Sequence, residues 1–234
     1  MYFFDTSLSH LTQNIALDEA LLLDAEAGGP EVLRLWSWPT HAVVLGAAGR
    51  IHDDVNVETC QAEHVPIARR SSGGGTVLLG AGCLVYSMVL RFNRDPALLD
   101  LHASYRYILD RVLDGVEPGG SRQGVSDLTL ADRKFSGNAQ QRKRTHLLHH
   151  GTLLYDFDPA PAGRYLKAPT RQPEYRRRRE HVEFLTNLPL GIEPLKDRLR
   201  DVWQADEMLP HWPEEMVRQL VLEKYDRREW VWRR

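Results

Sequence analysis

Apolar residues recur along the chain at the spacings of helices and strands, and turn residues separate these segments. Leu11 to Glu26 carries apolar side chains at helical spacing, and the turn at Gly28–Pro30 ends this predicted helix. Val32 to Trp36 and Ala42 to Leu45 are rich in residues that are common in strands. The beginning of the chain is therefore predicted to form a helix followed by two strands.

The same two spacings continue toward the C-terminus. Further strands are predicted at Val65–Arg70, Thr76–Leu79, Cys83–Phe92, Asp127–Leu130, Arg133–Phe135 and His146–Phe157. Further helices are predicted from Asp53 to about His64, at Leu98–Val112 with Gly115 ending it, and at Pro161–Lys167, Leu195–Trp203 and Pro213–Tyr225. Strands joined by short turns, with helices grouped rather than strictly alternating, indicate the α+β class with a mainly antiparallel mixed sheet flanked by helices.

The composition argues against several classes of protein. A net charge of −2 over 234 residues offers no basic excess for binding nucleic acid. Two cysteines, Cys60 and Cys83, are too few for a disulfide framework and fit a reducing compartment. The most apolar stretch, Val77 to Leu90, is interrupted by glycines and is too short to span a membrane. We therefore expect a cytoplasmic protein that binds neither membranes nor nucleic acid.

The sharpest local feature is the segment from Arg69 to Val77, which reads Arg-Arg-Ser-Ser-Gly-Gly-Gly-Thr-Val. Consecutive glycines let a backbone approach a ligand closely, and their N–H groups can bind phosphate oxygens beside an arginine. The spacing matches neither a Walker A loop nor a dinucleotide-binding fingerprint. Taken alone, the triple glycine is equally well explained as a flexible hairpin turn next to two solvated arginines. We call Ser71 to Gly75 the glycine loop.

A second feature surrounds Lys134, in the segment Asp132 to Gln140. Strand alternation turns Lys134 away from both Arg133 and Phe135. An ammonium group that points into a pocket would stabilise negative charge on an acyl carbonyl or a phosphate. On this segment alone, an ordinary exposed lysine before a turn is the better-supported alternative.

A pair of histidines, His149 and His150, stands immediately before Gly151. Successive strand residues point to opposite faces, so the pair is not expected to ligate one metal ion. We interpret one of them as a histidine that hydrogen-bonds a substrate or caps the sheet.

Together, these segments resemble the lipoate–protein ligase A family and the wider biotin/lipoate ligase catalytic domain. Four segments carry the resemblance in order, namely residues 69–77, 126–128, 133–140 and 149–154. Weaker matches are Asn14 to Ala20 and Val43 to Gly46. The resemblance implies a catalytic domain over residues 1–190 and a C-terminal helical extension over residues 191–234 that packs on the same domain.

The resemblance also implies an activity, that of a lipoate–protein ligase. Lipoate or octanoate would react with ATP and Mg²⁺ to form an acyl-adenylate, and a lysine of an acceptor lipoyl domain would then take the acyl group. Lys134 would be the catalytic residue, and Asp127 would bind nucleotide and magnesium. The residues implied to bind the ligands are Arg70, Ser72, Gly73, Gly74, Gly75, Thr76, Val77, Leu78, Asp127, Lys134, Ser136, Gly137, Ala139, His150 and Gly151. Because a mixed anhydride is already activated, positioning and charge stabilisation suffice for its transfer.

The chain departs from the family pattern at several places. Leu79 and Gly80 stand where ligases commonly have a histidine and an aspartate, and Ser126 replaces an asparagine. The helices after about Gly191 are smaller than the accessory domain of many ligases, and some short members of the family need a separate accessory chain. Two alternatives therefore stay open, a cysteine-independent lipoyl or octanoyl transferase between carrier proteins and a non-catalytic lipoyl-binding relative.

The positions of the cysteines separate this chain from other relatives. Related octanoyltransferases work through a cysteine thioester, placed shortly before the lysine segment or well after the His-Gly segment. Here Ser121 to Arg133 contains no cysteine and none follows Cys83, so this route is not expected and both cysteines are predicted to be structural. Biotin ligation is also disfavoured, because the Gly-Arg-Gly-Arg type of loop is missing.

A dense cluster of arginines lies in the second half of the chain. Its members are Arg171, Arg176, Arg177, Arg178 and Arg179. The simpler interpretation is a solvated face that nearby glutamates offset. The alternative is a docking patch for an acidic acceptor domain.

Overall fold

The computed structural model describes residues 1–117, 119–168 and 172–233. In these ranges the strands are β1 (Tyr2–Asp5), β2 (Val32–Ser37), β3 (Ala42–Leu45), β4 (Ile67–Arg69), β5 (Val77–Leu79), β6 (Cys83–Arg91), β7 (Ser121–Gln123), β8 (Asp127–Leu130), β9 (Arg133–Arg142), β10 (His146–Leu154) and β11 (Glu207–Met208). The helices are α1 (Leu11–Glu26), α2 (Ile51–Asp54), α3 (Val57–Ala62), α4 (Leu101–Val116), α5 (Ala162–Tyr165), α6 (His181–Phe184), α7 (Ile192–Trp203), α8 (Glu214–Leu220) and α9 (Arg228–Val231). A π-helical turn, Val221–Tyr225, directly follows α8.

The described strands form two sheets. The larger has the order β11-β1-β2-β6-β10-β9-β8-β7, and the smaller has the order β4-β3-β5. In the larger sheet β1 runs parallel to β11 and β2, whereas the other neighbouring pairs of described strands are antiparallel. This arrangement confirms the predicted α+β class with a mainly antiparallel mixed sheet flanked by helices.

Both faces of the larger sheet are covered, so its central strand β6 is buried on both sides. Val85 and Val89 of β6 belong to one core, which also includes α1, the smaller sheet and α8. Tyr86 and Met88 of β6 belong to a second core, which includes α4 and α7. Because successive strand residues point to opposite faces, an apolar run such as β6 can serve two cores at once.

The fourth helix differs from its prediction at its C-terminal end. Asp100 caps its N-terminus by accepting a hydrogen bond from the backbone N–H of Ala103 at 2.7 Å. The predicted end at Gly115 is wrong, because the helix continues through Val116. Gly115 faces α7, where an added Cβ would lie 3.1 Å from the side chain of Val202. This glycine therefore allows two helices to pack closely rather than ending one of them.

Two other elements have different bounds from those predicted. The helix predicted from Asp53 to His64 is divided into α2 and α3, since Val55 between them forms a β-bridge with Leu166. The strand predicted at Arg133–Phe135 is the longer β9, because its polar second half pairs with β10. The short elements β1, β7, β11, α6 and α9 were not predicted, because two to four residues show no clear periodicity.

The C-terminal part of the chain contributes to both cores. Leu195, Leu199 and Trp203 of α7 are fully buried in the second core, and α8 with the π-turn packs on α1. The division between residues 190 and 191 stays a prediction, as does the cytoplasmic location. Among the described helices, none combines the length and the apolar character that crossing a membrane requires.

His149 and His150 of β10 point to opposite faces of the sheet, as strand alternation predicts. His149 lies between the rings of Tyr86 and Tyr105, with centroid distances of 5.9 and 5.6 Å. The side-chain amide of Gln140 contacts its Nδ1 at 3.2 Å. Burial, with a contribution from neighbouring His150, lowers the pKa of His149 to about 3, so its ring is neutral in the folded protein at neutral pH.

We expect the free energy of unfolding to fall as the pH drops below 6.5, the ordinary pKa of histidine. In that range the unfolded chain binds a proton at His149 that the folded chain does not bind until the pH reaches about 3. The loss from this residue is about 1.4 kcal/mol per pH unit. Urea denaturation from about pH 7 to 5 measures it, with a His149→Gln variant as the non-titrating control. Equal pH dependence in both proteins would contradict the assignment.

Candidate active site

A cavity of about 170 Å³ lies between the central strands of the larger sheet and the glycine loop. Residues of β6, β9 and β10 form one wall, and α1, β3 and the glycine loop contribute to the other. The apolar lining residues are Ile15, Trp36, Val44, Val77, Leu79 and Val85. The polar and small lining residues are Asp18, Arg70, Gly74, Gly75, Thr76, Ser126, Asp127, Lys134, Gly137, Asn138, Ala139, His150, Gly151 and Thr152.

Most of the residues predicted to bind ligands are brought together at this cavity. Four are not among its described lining residues, namely Ser72, Gly73, Leu78 and Ser136. Leu78 and Ser136 line an adjoining cavity of about 110 Å³, which shares Lys134 and Gly137 with the first. Ser72 lies behind the wall, and the carbonyl of Gly73 accepts a hydrogen bond from Arg70, the residue just before the glycine loop.

Arg70 holds the glycine loop in shape. Its Nη2 donates hydrogen bonds to the carbonyls of Gly73 and Gly75 at 2.6 and 2.8 Å. Gly74 has a positive φ of 85°, and an added Cβ would lie 2.9 Å from the Arg70 guanidinium. Burial lowers the pKa of Arg70 to about 10, which leaves it charged at neutral pH. Since Arg69 and Arg70 are both buried, the alternative of two solvated arginines is wrong.

Lys134 borders the same cavity as the glycine loop. Its Nζ lies 2.8 Å from Oδ1 of Asp127, and its side chain is only 24% exposed. An added Cβ at Gly137 would lie 2.7 Å from this Nζ, so glycine at that position lets the lysine side chain fold back. The alternative of an ordinary exposed lysine is therefore wrong.

Both carboxylate oxygens of Asp127 already have partners. Oδ1 pairs with Lys134, and Oδ2 accepts a hydrogen bond from the Tyr175 hydroxyl at 2.6 Å. Burial and the Asp127 charge raise the pKa of Tyr175, so this hydroxyl stays a donor. In the described part of the chain, no group of three or more His, Cys, Asp and Glu side chains could hold a metal ion. Asp127 and its two partners do not form a metal site by themselves, and the magnesium role of Asp127 stays a prediction.

A continuous chain of buried polar contacts runs behind the cavity. Arg34 pairs with Asp18 at 2.6 Å, and the other oxygen of Asp18 lies 3.4 Å from Nδ1 of His150. Nε2 of His150 lies 2.5 Å from Oγ of Ser72, which also accepts a hydrogen bond from Nε of Arg70 at 3.0 Å. Burial acts to raise the pKa of Asp18, but Arg34 and His150 outweigh it and hold that pKa below its usual value.

The contacts run from Ser72 to His150 and on to Asp18, which are the three residue types of a serine-hydrolase triad. The serine, however, is not accessible. Ser72 is only 1% exposed, and its oxygen is already bound by Arg70. A nucleophile must reach the substrate carbonyl. We therefore interpret these contacts as support that orients the glycine loop.

The structure adds residues that sequence reasoning did not single out. Asp18, Asn138 and Tyr175 contact the cavity or its polar groups, and Arg34 lies behind it. Asp18 belongs to a segment that only weakly matched the family pattern, and Arg34 is the one charged residue in an apolar strand, which is a usable signal for a buried ion pair. Nothing in the sequence pattern pointed to Tyr175.

The side chain of Asn138 is held across the sheet. Its amide nitrogen donates to the carbonyl of Ser126 at 2.8 Å and to Oγ of Ser136 at 3.0 Å, and its oxygen accepts a hydrogen bond from Tyr86. An added Cβ at Gly151 would lie 1.8 Å from that oxygen. Glycine at position 151 is therefore what leaves room for this polar group beside the cavity.

Neither cysteine lies at the cavity. Cys60 and Cys83 are buried, and burial raises the pKa of Cys83 to about 12. Burial and a nearby glutamate also raise the pKa of Cys60. Thiols of this kind stay protonated at neutral pH and are poor nucleophiles. The structure thus confirms the prediction that both cysteines are structural.

The arginine cluster is only partly solvated. Arg171 lies outside the described residues. Arg176 is buried with its guanidinium carbon 4.7 Å from the ring centroid of Phe184, and Arg179 also contacts that ring. Arg177 and Arg178 are exposed. A solvated face is therefore wrong for Arg176, and the exposure of Arg177 and Arg178 fits both the solvated face and the docking patch.

The fold is that of the lipoate ligase catalytic domains. The family model of the lipoyl protein ligase A/B catalytic domain matches residues 10–203. The chain belongs to this family, which is a family of lipoate ligases and acyltransferases.

Individual relatives carry the names of both activities. A putative lipoate-protein ligase A of Aeropyrum pernix is 30% identical over 201 residues, covering 84% of this chain and 72% of the relative. The octanoyltransferase LipM of Clostridioides difficile is 28% identical over 205 residues, covering 77% of this chain and 73% of the relative. The catalytic fold is shared with a bipartite lipoate protein ligase of Thermoplasma acidophilum, solved in work on that ligase and its E2 lipoyl domain. Its TM-score is 0.83 at 20% identity, with 99% of this chain and 95% of the other chain covered.

We expect the buried pair of Asp18 and Arg34 to show strong energetic coupling. An Asp18→Ala variant leaves the Arg34 charge buried without its carboxylate and should lose roughly 3–5 kcal/mol of unfolding free energy. Adding Arg34→Met should restore part of that loss. Urea denaturation of both single variants and the double variant measures the coupling.

The matched control for this cycle is the more exposed pair of Asp110 and Arg122, where the Asp110 side chain is 54% exposed. An Asp110→Ala variant should lose less than about 1 kcal/mol. Strictly additive losses for Asp18 and Arg34 would contradict the proposed dependence of the two charges on each other.

Proposed function

We propose that the chain is an ATP-dependent lipoate–protein ligase that activates lipoate or octanoate as an acyl-adenylate and transfers the acyl group to a lysine of a lipoyl domain. The observation that carries this proposal is the placement of Lys134 and the glycine loop on one cavity. One part of the lining is apolar and suits a fatty acyl chain. The other part combines a buried arginine, a lysine and loop backbone, which suit phosphate and carboxylate oxygens.

The first step joins the carboxylate to the nucleotide. A carboxylate oxygen attacks the α-phosphorus of ATP, the acyl-adenylate forms, and pyrophosphate leaves. In this step Lys134 stabilises the negative charge on the phosphate and the acyl carbonyl, and the glycine loop holds the phosphate oxygens through its N–H groups. No step is assigned to a metal ion, because both oxygens of Asp127 have protein partners.

The second step transfers the acyl group. The neutral ε-amine of the acceptor lysine attacks the acyl carbonyl and the amide bond forms. The attacking nitrogen releases its proton to solvent, the bond between the acyl carbon and the phosphate oxygen breaks, and AMP leaves. Lys134 again binds the oxygen on which negative charge develops. The protein needs no nucleophile of its own, which agrees with two cysteines that are buried and are not among the residues of the cavity lining.

A second candidate function is cysteine-independent acyl transfer between carrier proteins. The octanoyltransferase relative supports acyl transfer as the reaction, although not its route. The residue Leu79 adds to this support, because it lines the apolar part of the cavity where ligases commonly have a histidine. Exchange of pyrophosphate into ATP that depends on lipoate or octanoate separates the two functions. The ligase shows this exchange, whereas the transferase moves an acyl group from an acylated carrier without ATP.

We expect Lys134→Met to abolish most of the activity. The change removes the ammonium group that stabilises charge in both steps, and the rate of acyl transfer should drop about 100- to 1,000-fold. Mass spectrometry of a lipoyl domain incubated with ATP, magnesium and lipoate or octanoate measures the product. Lys143→Met, at an exposed position just after β9, is the control and should keep wild-type activity. Full activity of Lys134→Met would refute the assigned role.

The exposed arginines provide a separate test of acceptor binding. If Arg177 and Arg178 steer an acidic lipoyl domain, replacing both with glutamate should slow acylation of the protein acceptor several-fold at low salt. Pyrophosphate exchange should be unchanged, because adenylate formation needs no protein acceptor. An equal loss of both activities would contradict a docking role.

A further inference from the structure

The end of the chain binds the strand that leads into the glycine loop. Arg69 of β4 is fully buried and donates hydrogen bonds from Nε and Nη2 to the carbonyl of Val231 at 3.1 and 2.8 Å. In the opposite direction, Nε1 of Trp230 donates to the backbone carbonyl of Arg69 at 2.8 Å. Because successive strand residues point to opposite sides, Arg69 reaches α9 while Arg70 reaches the glycine loop. The adjacent residues Arg69 and Arg70 thus connect the C-terminal segment to the glycine loop.

A second connection runs through Glu19 of α1. Its carboxylate accepts hydrogen bonds from Nζ of Lys224 at 2.6 and 2.9 Å and from the hydroxyl of Tyr225 at 2.6 Å. It also accepts a hydrogen bond from Gln141 at 3.3 Å, and the amide oxygen of Gln141 accepts one from the hydroxyl of Ser71. Burial acts to raise the pKa of Glu19, but Lys224 and Tyr225 outweigh it and keep that pKa below its usual value. The carboxylate is therefore charged and firmly held.

The two consecutive residues that bind this carboxylate belong to a π-helical turn. Val221–Tyr225 is wound as a π-helix, and both Lys224 and Tyr225 reach Glu19. Such turns are uncommon and occur often at functional sites.

We propose that Val221–Val231 is a C-terminal brace that positions the glycine loop for the reaction. It acts through Glu19 and Gln141 on Ser71, and through Trp230 and Val231 on Arg69. The effect on catalysis rests on the proposed function, whereas the mechanical effect on the loop does not. Backbone N–H groups stabilise developing phosphate charge only when they are already aimed at it. A misplacement of about 1 Å reduces catalysis up to 100-fold, so a brace remote from the chemistry controls its rate.

Two conservative variants weaken the brace without removing its packing. Tyr225→Phe removes one hydroxyl from Glu19 and leaves Lys224 in place. Trp230→Phe removes the N–H that binds the Arg69 carbonyl and keeps an aromatic ring. The matched control is Arg218→Ala, an exposed residue of α8 that pairs with Glu215 one turn away. Thermal unfolding verifies that all variants and the double variant remain folded.

Hydrogen–deuterium exchange of the amides that anchor the glycine loop is the first readout, and it needs no activity. The backbone N–H of Ala47 donates to the carbonyl of Ser72 at 2.7 Å, and the N–H of Arg70 donates to the carbonyl of Leu45 at 2.9 Å. We expect exchange of these two amides to rise about five-fold in each single variant and further in the double variant, as for the loss of about 1 kcal/mol per hydrogen bond. Arg218→Ala should exchange like the wild type. Unchanged exchange in the double variant, or an equal rise in the control, would overturn the brace.

Pyrophosphate exchange with lipoate or octanoate is the second readout. We expect kcat to fall in the two brace variants while the KM for the acid stays close to the wild-type value, because the proposed function assigns phosphate to the glycine loop and the acyl chain to the apolar lining. A purely structural role for the brace would leave kcat of the folded variants unchanged, which would overturn the catalytic part. A wild-type protein with no exchange activity would refute the proposed function, and amide exchange would still decide whether the brace holds the loop.

Discussion

The structure depends on two adjacent buried carboxylates, Asp18 and Glu19, on the first helix. A charge removed from water is tolerated only when it is paired and hydrogen-bonded. Asp18 meets this requirement with Arg34 on one side and His150 on the other. Glu19 meets it with Lys224, Tyr225 and Gln141. Because these partners come from distant strands and from the C-terminal segment, satisfying the two charges joins the larger sheet, the first helix and the end of the chain.

Both sets of contacts end on Ser71 and Ser72, the first two residues of the glycine loop. His150 contacts Ser72, and Gln141 contacts Ser71, so the loop is held from two sides before any ligand binds. Arg70 then closes the loop by binding carbonyls within it. The glycines allow backbone conformations and close contacts that residues with a side chain do not allow. The paired buried charges hold the loop in one position. A site of this kind suits a reaction in which the substrate itself is activated and the protein mainly positions groups and stabilises charge.

The same features bear on the choice between the two activities named among the relatives. A thioester route needs an accessible, readily ionised thiol, and both cysteines of this chain are buried with raised pKa values. Lys134, Arg70 and residues of the glycine loop line the cavity, and these are the kinds of group on which the proposed adenylation relies. Leu79 adds apolar surface to the lining beside these groups.

The sequence by itself determined the fold class, the two long helices and the buried strands, because periodic burial is a local property that each segment displays on its own. It also located Arg70, the triple glycine, Lys134 and His150, since their segments occur in a recognisable order. It did not reveal that Gly115 packs against a helix, that Tyr175 binds Asp127, or that Lys224 and Tyr225 meet Glu19. Only the tertiary structure decided these points, because each depends on a contact between residues far apart in the chain, and such contacts leave no trace in local spacing.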